Sequence, residues 1–465
     1  MLRDSPIADT PRMPFTFAAA PASPAPVPSA PSALRPFHRG RPRLLSQWGC
    51  PALLLWLAFL AGLALPARAE PAGVEVFHWW VTGGERASMD AIRDFTRQRG
   101  LAWKEDFSPG SGTARYTDVL AARVRAGRVP TAAQMIGYEI HEWARRGLLE
   151  NLNGIAAREE WDEVVPNEIQ QLSKWQGQWV AAPFNAHSTN WLWVNQSLAR
   201  RLGAATPPDT WDDLIALLGK ARAAGILPLA IGKEAWEHTL LFESVAAGTG
   251  GAAFYRRAFL DLDPTALDAP VTTVIFERMR QLAGYLDAGF MRRRWDQATD
   301  LVAGGQALLQ VQGSWVDGEF KVRGMLPDRD YQCWRFPDTQ GMYLFNSDQF
   351  VFFKQPARQR AAQERFASIL MDPDLQVAVN VRTGAAPARV DVQQAPFNRC
   401  GQGAITDLRG ANMRRTLMGS IAMGNAHPSA VKAAVYDVVT RHLQGRLDTP
   451  GAVAALRAAI ARKPS

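Results

Sequence analysis

The stretch Val74-Glu75-Val76-Phe77-His78-Trp79-Trp80, followed by Val81-Thr82-Gly83-Gly84-Glu85, decides how this chain folds. Its first half alternates and is rich in β-branched and aromatic side chains, which predicts a strand. Two glycines then break it before a helical pattern opens at Glu85. Two adjacent tryptophans therefore stand where a strand gives way to a loop and a helix. In open α/β sheets that carboxyl end of a strand is where ligands dock. Neighbouring strand residues point to opposite faces, so two core tryptophans in succession are awkward there, whereas a loop can turn both rings toward one cleft. Flat aromatic faces match the C–H face of a sugar, and Trp79 and Trp80 are read as ligand contacts, although most of the 16 Trp in the chain are expected in the core.

Outward from this stretch, strand and helix signals keep alternating. Residues 101–107 read as a second strand and 132–136 as a third, with a helical pattern between 139 and 146. Ser108-Pro109-Gly110-Ser111-Gly112 forms a glycine-rich turn into the next helix, but it lacks the Lys-Ser/Thr ending of a phosphate loop. The chain becomes extended near Pro183, where a first crossing between lobes is expected. A helix is predicted from Thr210 as N-cap, with Asp213 three residues on as a capping-box variant. Residues 307–311 form a strand that ends at Gln312-Gly313-Ser314-Trp315, so an aromatic again follows a strand end. Asn346 and Asp348, one residue apart on extended chain, point to the same side and can grip neighbouring hydroxyls. This alternation makes the fold class α/β.

A length of 465 residues exceeds what one hydrophobic core usually organises, so two lobes are expected. The first forty or so residues are rich in Pro, Ala and Ser and have no periodicity that buries a face. A basic region (His38, Arg39, Arg41, Arg43), the apolar run 51–65 and Ala67-Arg68-Ala69 follow. Together they read as a secretory signal peptide cleaved after Ala69, the run being short for a membrane span of about 20 residues. Cleavage removes seven Arg and two Asp and leaves 45 basic and 42 acidic residues, a net charge of +3. No basic block with interleaved aromatics remains, so no nucleic-acid partner is expected. After cleavage only Cys333 and Cys400 are left; in an oxidising compartment an even count favours a disulfide, the alternative being two buried thiols.

Catalytic patterns are sparse. The seven His include no His-Glu-x-x-His, and no Gly-x-Ser-x-Gly elbow occurs, so neither a metal nor a serine nucleophile is expected. A secreted carbohydrate-active enzyme is the competing class; it needs two carboxyls across the scissile bond, for which Glu85 and Asp348 are the available pair.

Several motifs resemble, in order from Val74 to Leu447, the periplasmic glucose-binding proteins of bacterial ABC importers (extracellular solute-binding protein family 1). They are His78-Trp79-Trp80, Gly83-Gly84-Glu85, Pro130-Thr131-Ala132-Ala133-Gln134-Met135, Ala182-Pro183 with Asn185 and His187, Gly313 with Trp315, Phe345-Asn346-Ser347-Asp348, Ala386-Pro387-Ala388-Arg389 and Tyr436-Asp437-Val438-Val439-Thr440-Arg441. The resemblance implies a two-lobed receptor that closes by a hinge over one sugar and delivers it to a membrane permease, without a cofactor and as a monomer in the periplasm. By the same resemblance Trp79, Trp80 and Trp315 pack on the sugar ring, Glu85, Asn346 and Asp348 bind hydroxyls, His187 borders the site, and Cys333 and Cys400 match the family's cysteine pair. Four positions depart from the pattern: Thr383 stands for a sugar-binding Lys, Met423 for a ligand-binding His, Ser314 for the Asp before the site Trp, and Ala121 for a basic residue in the second helix. A lost charged donor costs on the order of 1–3 kcal/mol, so a different or weaker ligand than glucose is expected, with His427 as a substitute donor. The lobes are expected at 70–183 with 303–340 and at 184–302 with 341–465, after the 1–69 leader. A sugar receptor used for signalling rather than uptake would carry the same site.

Overall fold

The opening stretch forms the strand Gly73–His78, with Ala102–Phe107 parallel on one side and Ala132–Ile136 parallel on the other. The computed structural model describes residues 73–109 and 114–461. The expected leader, its cleavage after Ala69 and the turn at 110–113 lie outside them. Ala132–Ile136 is buried along its whole length, as expected of a strand covered on both faces. Ala102–Phe107 carries Lys104, Glu105 and Asp106 and takes the edge, where charge discourages further strand pairing. Asp348–Phe352 and then Ala181–Pro183 complete this five-stranded sheet in antiparallel register.

A second sheet has four strands in the order Tyr331–Arg335, Trp191–Asn195, Ala307–Gln312 and Leu227–Ala230. Here the pairing departs from the expected grouping. Residues 303–340 are expected in the lobe of the opening strand, yet Ala307–Gln312 pairs with Trp191–Asn195 and Leu227–Ala230, and Tyr331–Arg335 also pairs with Trp191–Asn195. Asp348–Phe352, expected in the second group, returns to the first sheet. Periodicity identifies a strand but not its neighbours, and a strand end followed by an aromatic occurs in both sheets.

Between the sheets lies a three-stranded ribbon of Leu417–Gly419, Tyr343–Asn346 and His187–Ser188. The chain leaves the first sheet through His187–Ser188 and comes back through Tyr343–Asn346, and the two passages pair antiparallel, Phe345 opposite Ser188 and Asn346 opposite His187. Ala386 adds a third passage through reciprocal backbone bonds with Ala186 at 2.7 and 3.2 Å. Thr210 caps the helix Trp211–Ala223 in a reciprocal box with Asp213, as the spacing predicts. Cys333 and Cys400 form a disulfide that ties the edge of the second sheet to the helix Arg399–Arg414. No helix among the described residues is long and apolar enough to cross a membrane.

Two glycines allow backbone to meet backbone beside the ribbon. A Cβ on Gly84 would stand 2.6 Å from the carbonyl carbon of Gly318, where the helix Gly83–Gln98 meets the helix Val316–Val322. Gly137 has φ +57° and a Cβ there would lie 2.0 Å from Gly424 O, the acceptor of the Tyr138 N–H. Gly137→Ala is therefore predicted to cost about 2 kcal/mol, combining left-handed strain with a clash against rigid backbone. A urea midpoint within error of the parent would overturn this.

Candidate functional site

Most of the sequence-predicted site residues sit where a strand or passage ends. Trp79 and Trp80 follow Gly73–His78, Trp315 follows Ala307–Gln312, and Asn346 and Asp348 flank Ser347 where the chain re-enters the first sheet. His187 lies on the outgoing passage, Thr383 ends the helix Pro373–Thr383, and Met423 lies beyond Leu417–Gly419. All nine, Glu85 included, line one cavity. Asn346 and Asp348 belong to the crossing and to the first sheet, not to the start of a second lobe as the expected boundaries implied.

A buried polar chain fixes these groups. Trp79 N–H donates to Gln134 Oε1 at 3.4 Å, and Gln134 Nε2 donates to Asp348 Oδ1 at 2.8 Å. Asp348 Oδ2 accepts from Asn185 Nδ2 at 3.1 Å and stands 3.4 Å from His187 Nε2. Asn185 Oδ1 in turn accepts the Asp348 backbone N–H at 2.7 Å. His187 Nδ1 lies 2.8 Å from Ser314 Oγ. With Asn185 Nδ2 donating to Nε2 at 3.2 Å, the proton on Nδ1 points at that hydroxyl. The chain thus runs from the end of the first strand, through both passages, to the residue before Trp315. Ser314, which departs from the family pattern, is the group that orients His187.

Glu85 serves two roles. Its Oε2 accepts from the backbone N–H groups of Val81 and Thr82 at 2.9 and 3.0 Å, closing the first turn of its helix. Burial pushes its pKa up to about 7, with the Glu319 carboxylate adding to the rise and the two backbone bonds opposing it. Glu319 is held there by the Gly84 N–H, which it accepts at 2.7 Å, and by Arg323.

The aromatic walls are packed by their own neighbours. Trp79 meets Tyr116 edge-on at 4.9 Å, and Trp80 meets Phe184 edge-on at 5.7 Å. Both are almost fully buried, whereas Trp315 is half-buried and crosses His187 and Trp236 edge-on at 5.3 and 5.9 Å.

Sequence reasoning gave no role to Trp236, Trp295, Gly84, Gln134 or Asn185, yet the first three line the cavity and the last two organise it. Trp236 carried a usable signal, since it follows the end of the strand Leu227–Ala230 by a short loop, as Trp80 and Trp315 follow theirs. Trp295 opens a helix with no strand before it and had none.

Two departures read differently in three dimensions. Thr383 Oγ1 accepts from Ala385 N at 3.1 Å and lies 3.2 Å from Asn380 Oδ1, so its hydroxyl is used inside the protein. Met423 brings a thioether to the wall. His427, expected as a substitute donor, is turned away: its Nε2 meets Leu260 O at 3.1 Å and its ring stacks on Tyr138.

The geometry can be set beside known proteins. Residues 87–364 match the model of the bacterial extracellular solute-binding protein family. Probable sugar-binding periplasmic proteins of Rhizobium meliloti and Brucella suis are 45% and 43% identical, covering 86% and 87% of this chain and 97% and 96% of their own. Among solved structures, a bacterial solute receptor with preference for β-D-galactopyranose superposes with a TM-score of 0.71 at 16% identity, covering 83% of this chain and 97% of that one. A chitin oligosaccharide binding protein does so at 0.69 and 18% identity, covering 84% and 99%. With this coverage and the two sheets joined by a paired ribbon, the chain has the two-lobed fold of these receptors and belongs to the bacterial extracellular solute-binding protein family.

Proposed function

We propose that this protein is a periplasmic receptor that holds a sugar ring between its two lobes and delivers it to the permease of an ABC importer. One observation carries the reading: Trp79, Trp80, Trp236, Trp295 and Trp315 surround a cavity into which Asp348, Asn346, His187 and Glu85 also face. Aromatic faces take the C–H surface of a pyranose, and pre-oriented polar groups take its hydroxyls without leaving either side unpaired. The cleft holds about 530 Å³, open solvent at its mouth included.

On this reading one lobe consists of 73–183 with the return segment from 348, and the other of 191–335 with the C-terminal helices. The three passages at 184–190, 343–347 and 384–388 form the hinge, and closure is driven by a ligand that touches both sides. Thr383 and Met423 offer the ligand no charged donor, which favours a ring with fewer hydroxyls toward that wall than glucose has.

Trp315 and Trp80 separate binding from folding. Trp315→Ala is predicted to weaken the best sugar ligand tenfold to a hundredfold, about 1.4–2.8 kcal/mol, with little change in melting temperature. Trp80→Ala is predicted to lose both affinity and stability, because the ring is core as well as wall. Calorimetry against glucose, galactose, xylose and their disaccharides, paired with thermal melting, checks both. An unchanged dissociation constant in Trp315→Ala would remove that ring from the site, and no response to any sugar would remove the reading.

A further inference from the structure

A second and larger space adjoins the tryptophan chamber and shares two of its walls, Trp236 and Met423. It holds about 1140 Å³ against about 530 Å³ for the inner one, open solvent included in both. Its lining comes from both sides of the cleft: Thr117, Ile136 and Glu139 from elements of the first sheet, Glu234 and Lys432 from those of the second.

Chemically the two spaces differ. The inner one is mostly aromatic. The outer one carries Asp118, Glu139, Glu142 and Glu234 with a single cation, Lys432. Glu142 accepts the Ser429 N–H at 2.9 Å, and Glu139 accepts from Thr117 Oγ1 at 2.8 Å. Lys432 faces Glu139 and Glu142 electrostatically, but among the described residues it forms no ion pair within 4.0 Å. Its ammonium, half-buried against Tyr436, has donors to give. Trp236 lines both spaces and is 6% exposed, so it is a fixed part of the shared wall.

We infer that the cleft takes a two-unit ligand, a disaccharide or glycoside whose first ring fills the tryptophan chamber and whose second, neutral and hydroxyl-rich unit lies between Lys432 and Glu139 in the outer space. Hydroxyls donate to carboxylates and accept from an ammonium, so this lining satisfies a sugar unit. The excess of acid over base turns away a second unit bearing a carboxylate or phosphate. The inference rests on the sugar-receptor reading above and adds the length and charge of the ligand.

The test is calorimetry of the purified protein with glucose, galactose and xylose against maltose, cellobiose, lactose and xylobiose, and against a uronic-acid disaccharide. At least one neutral disaccharide is expected to bind tenfold or more tightly than the monosaccharide forming its first ring, and the uronic-acid disaccharide to show no such gain. Ala433→Trp, which fills the outer space from an exposed helix position, is expected to erase the disaccharide's advantage while monosaccharide affinity stays within twofold. Lys432→Met should reduce the advantage severalfold without lowering the melting temperature. If a monosaccharide binds as tightly as every disaccharide, the inference is overturned and the receptor reading stands. If no sugar binds, both fall.

Discussion

Asp348→Ala is expected to lower the free energy of unfolding by about 3–5 kcal/mol and to abolish sugar binding, because it strips the shared acceptor from two buried amide donors at once. Gln134 Nε2 and Asn185 Nδ2 donate to its two oxygens, His187 Nε2 stands 3.4 Å away, and the residue is 3% exposed, so water does not replace the carboxylate cheaply. Those partners come from the strand Ala132–Ile136 and from the passage at 184–190, so their release loosens the crossing between the sheets as well as the chamber. Asp348→Asn keeps the volume but turns an amide N–H toward groups that are themselves donors, and an intermediate loss is expected. Urea denaturation and calorimetry on both variants check this. If Asp348→Ala unfolds at the parent's urea midpoint, the buried chain is not what holds the crossing together.

The same cluster shows how much could be read beforehand. The strand at 73–78, the Ala132–Ile136 core strand and the Thr210 cap follow from periodicity and local hydrogen bonding, which act within a few residues. The cavity wall was legible where aromatics follow strand ends, since that position is set by chain direction alone. What local pattern does not contain is partnership between distant segments. Nothing near Ala307–Gln312 says that its neighbour is Trp191–Asn195 rather than Gly73–His78, and so the strand pairing there is not legible from local pattern. Gln134 and Asn185 escaped for the same reason, as an amide becomes an organiser only once Asp348 arrives from more than 160 residues away. The turning of His427 toward Leu260 likewise depends on a remote carbonyl.

A last expectation concerns pH, where three glutamates placed around the cleft act together. Burial pushes Glu237 up to about 8 and Glu243 and Glu85 up to about 7. Glu237 accepts from the backbone N–H groups of Gly232 and Glu234 beside Trp236. Glu243 accepts from Thr189, Ser420 and Ala422, holding the loop that carries Met423. In the unfolded chain these acids titrate near their ordinary value of 4.5. Above that pH the folded state keeps more protons than the unfolded one, so stability falls as pH rises through 7 and 8. His78 and His238 work the other way: burial lowers each from 6.5 to about 4, so their contribution is lost as pH falls through that window. Between pH 4.5 and 6.5 the two sets oppose each other, and above 6.5 only the glutamates remain. Glu139 is shifted up and Lys432 down, each chiefly by burial, so the two act on the slope in opposite senses. From about pH 6.5 to 8 the unfolding free energy is therefore expected to drop by roughly 2–3 kcal/mol, with half-buried Glu85 counted at a discount. Glu237→Gln should remove about half of that slope, because Glu237 alone stays protonated through most of the window. Denaturant unfolding at half-unit pH steps measures it directly, and a flat or rising profile between pH 6.5 and 8 would mean that these carboxyls are already ionised in the folded protein.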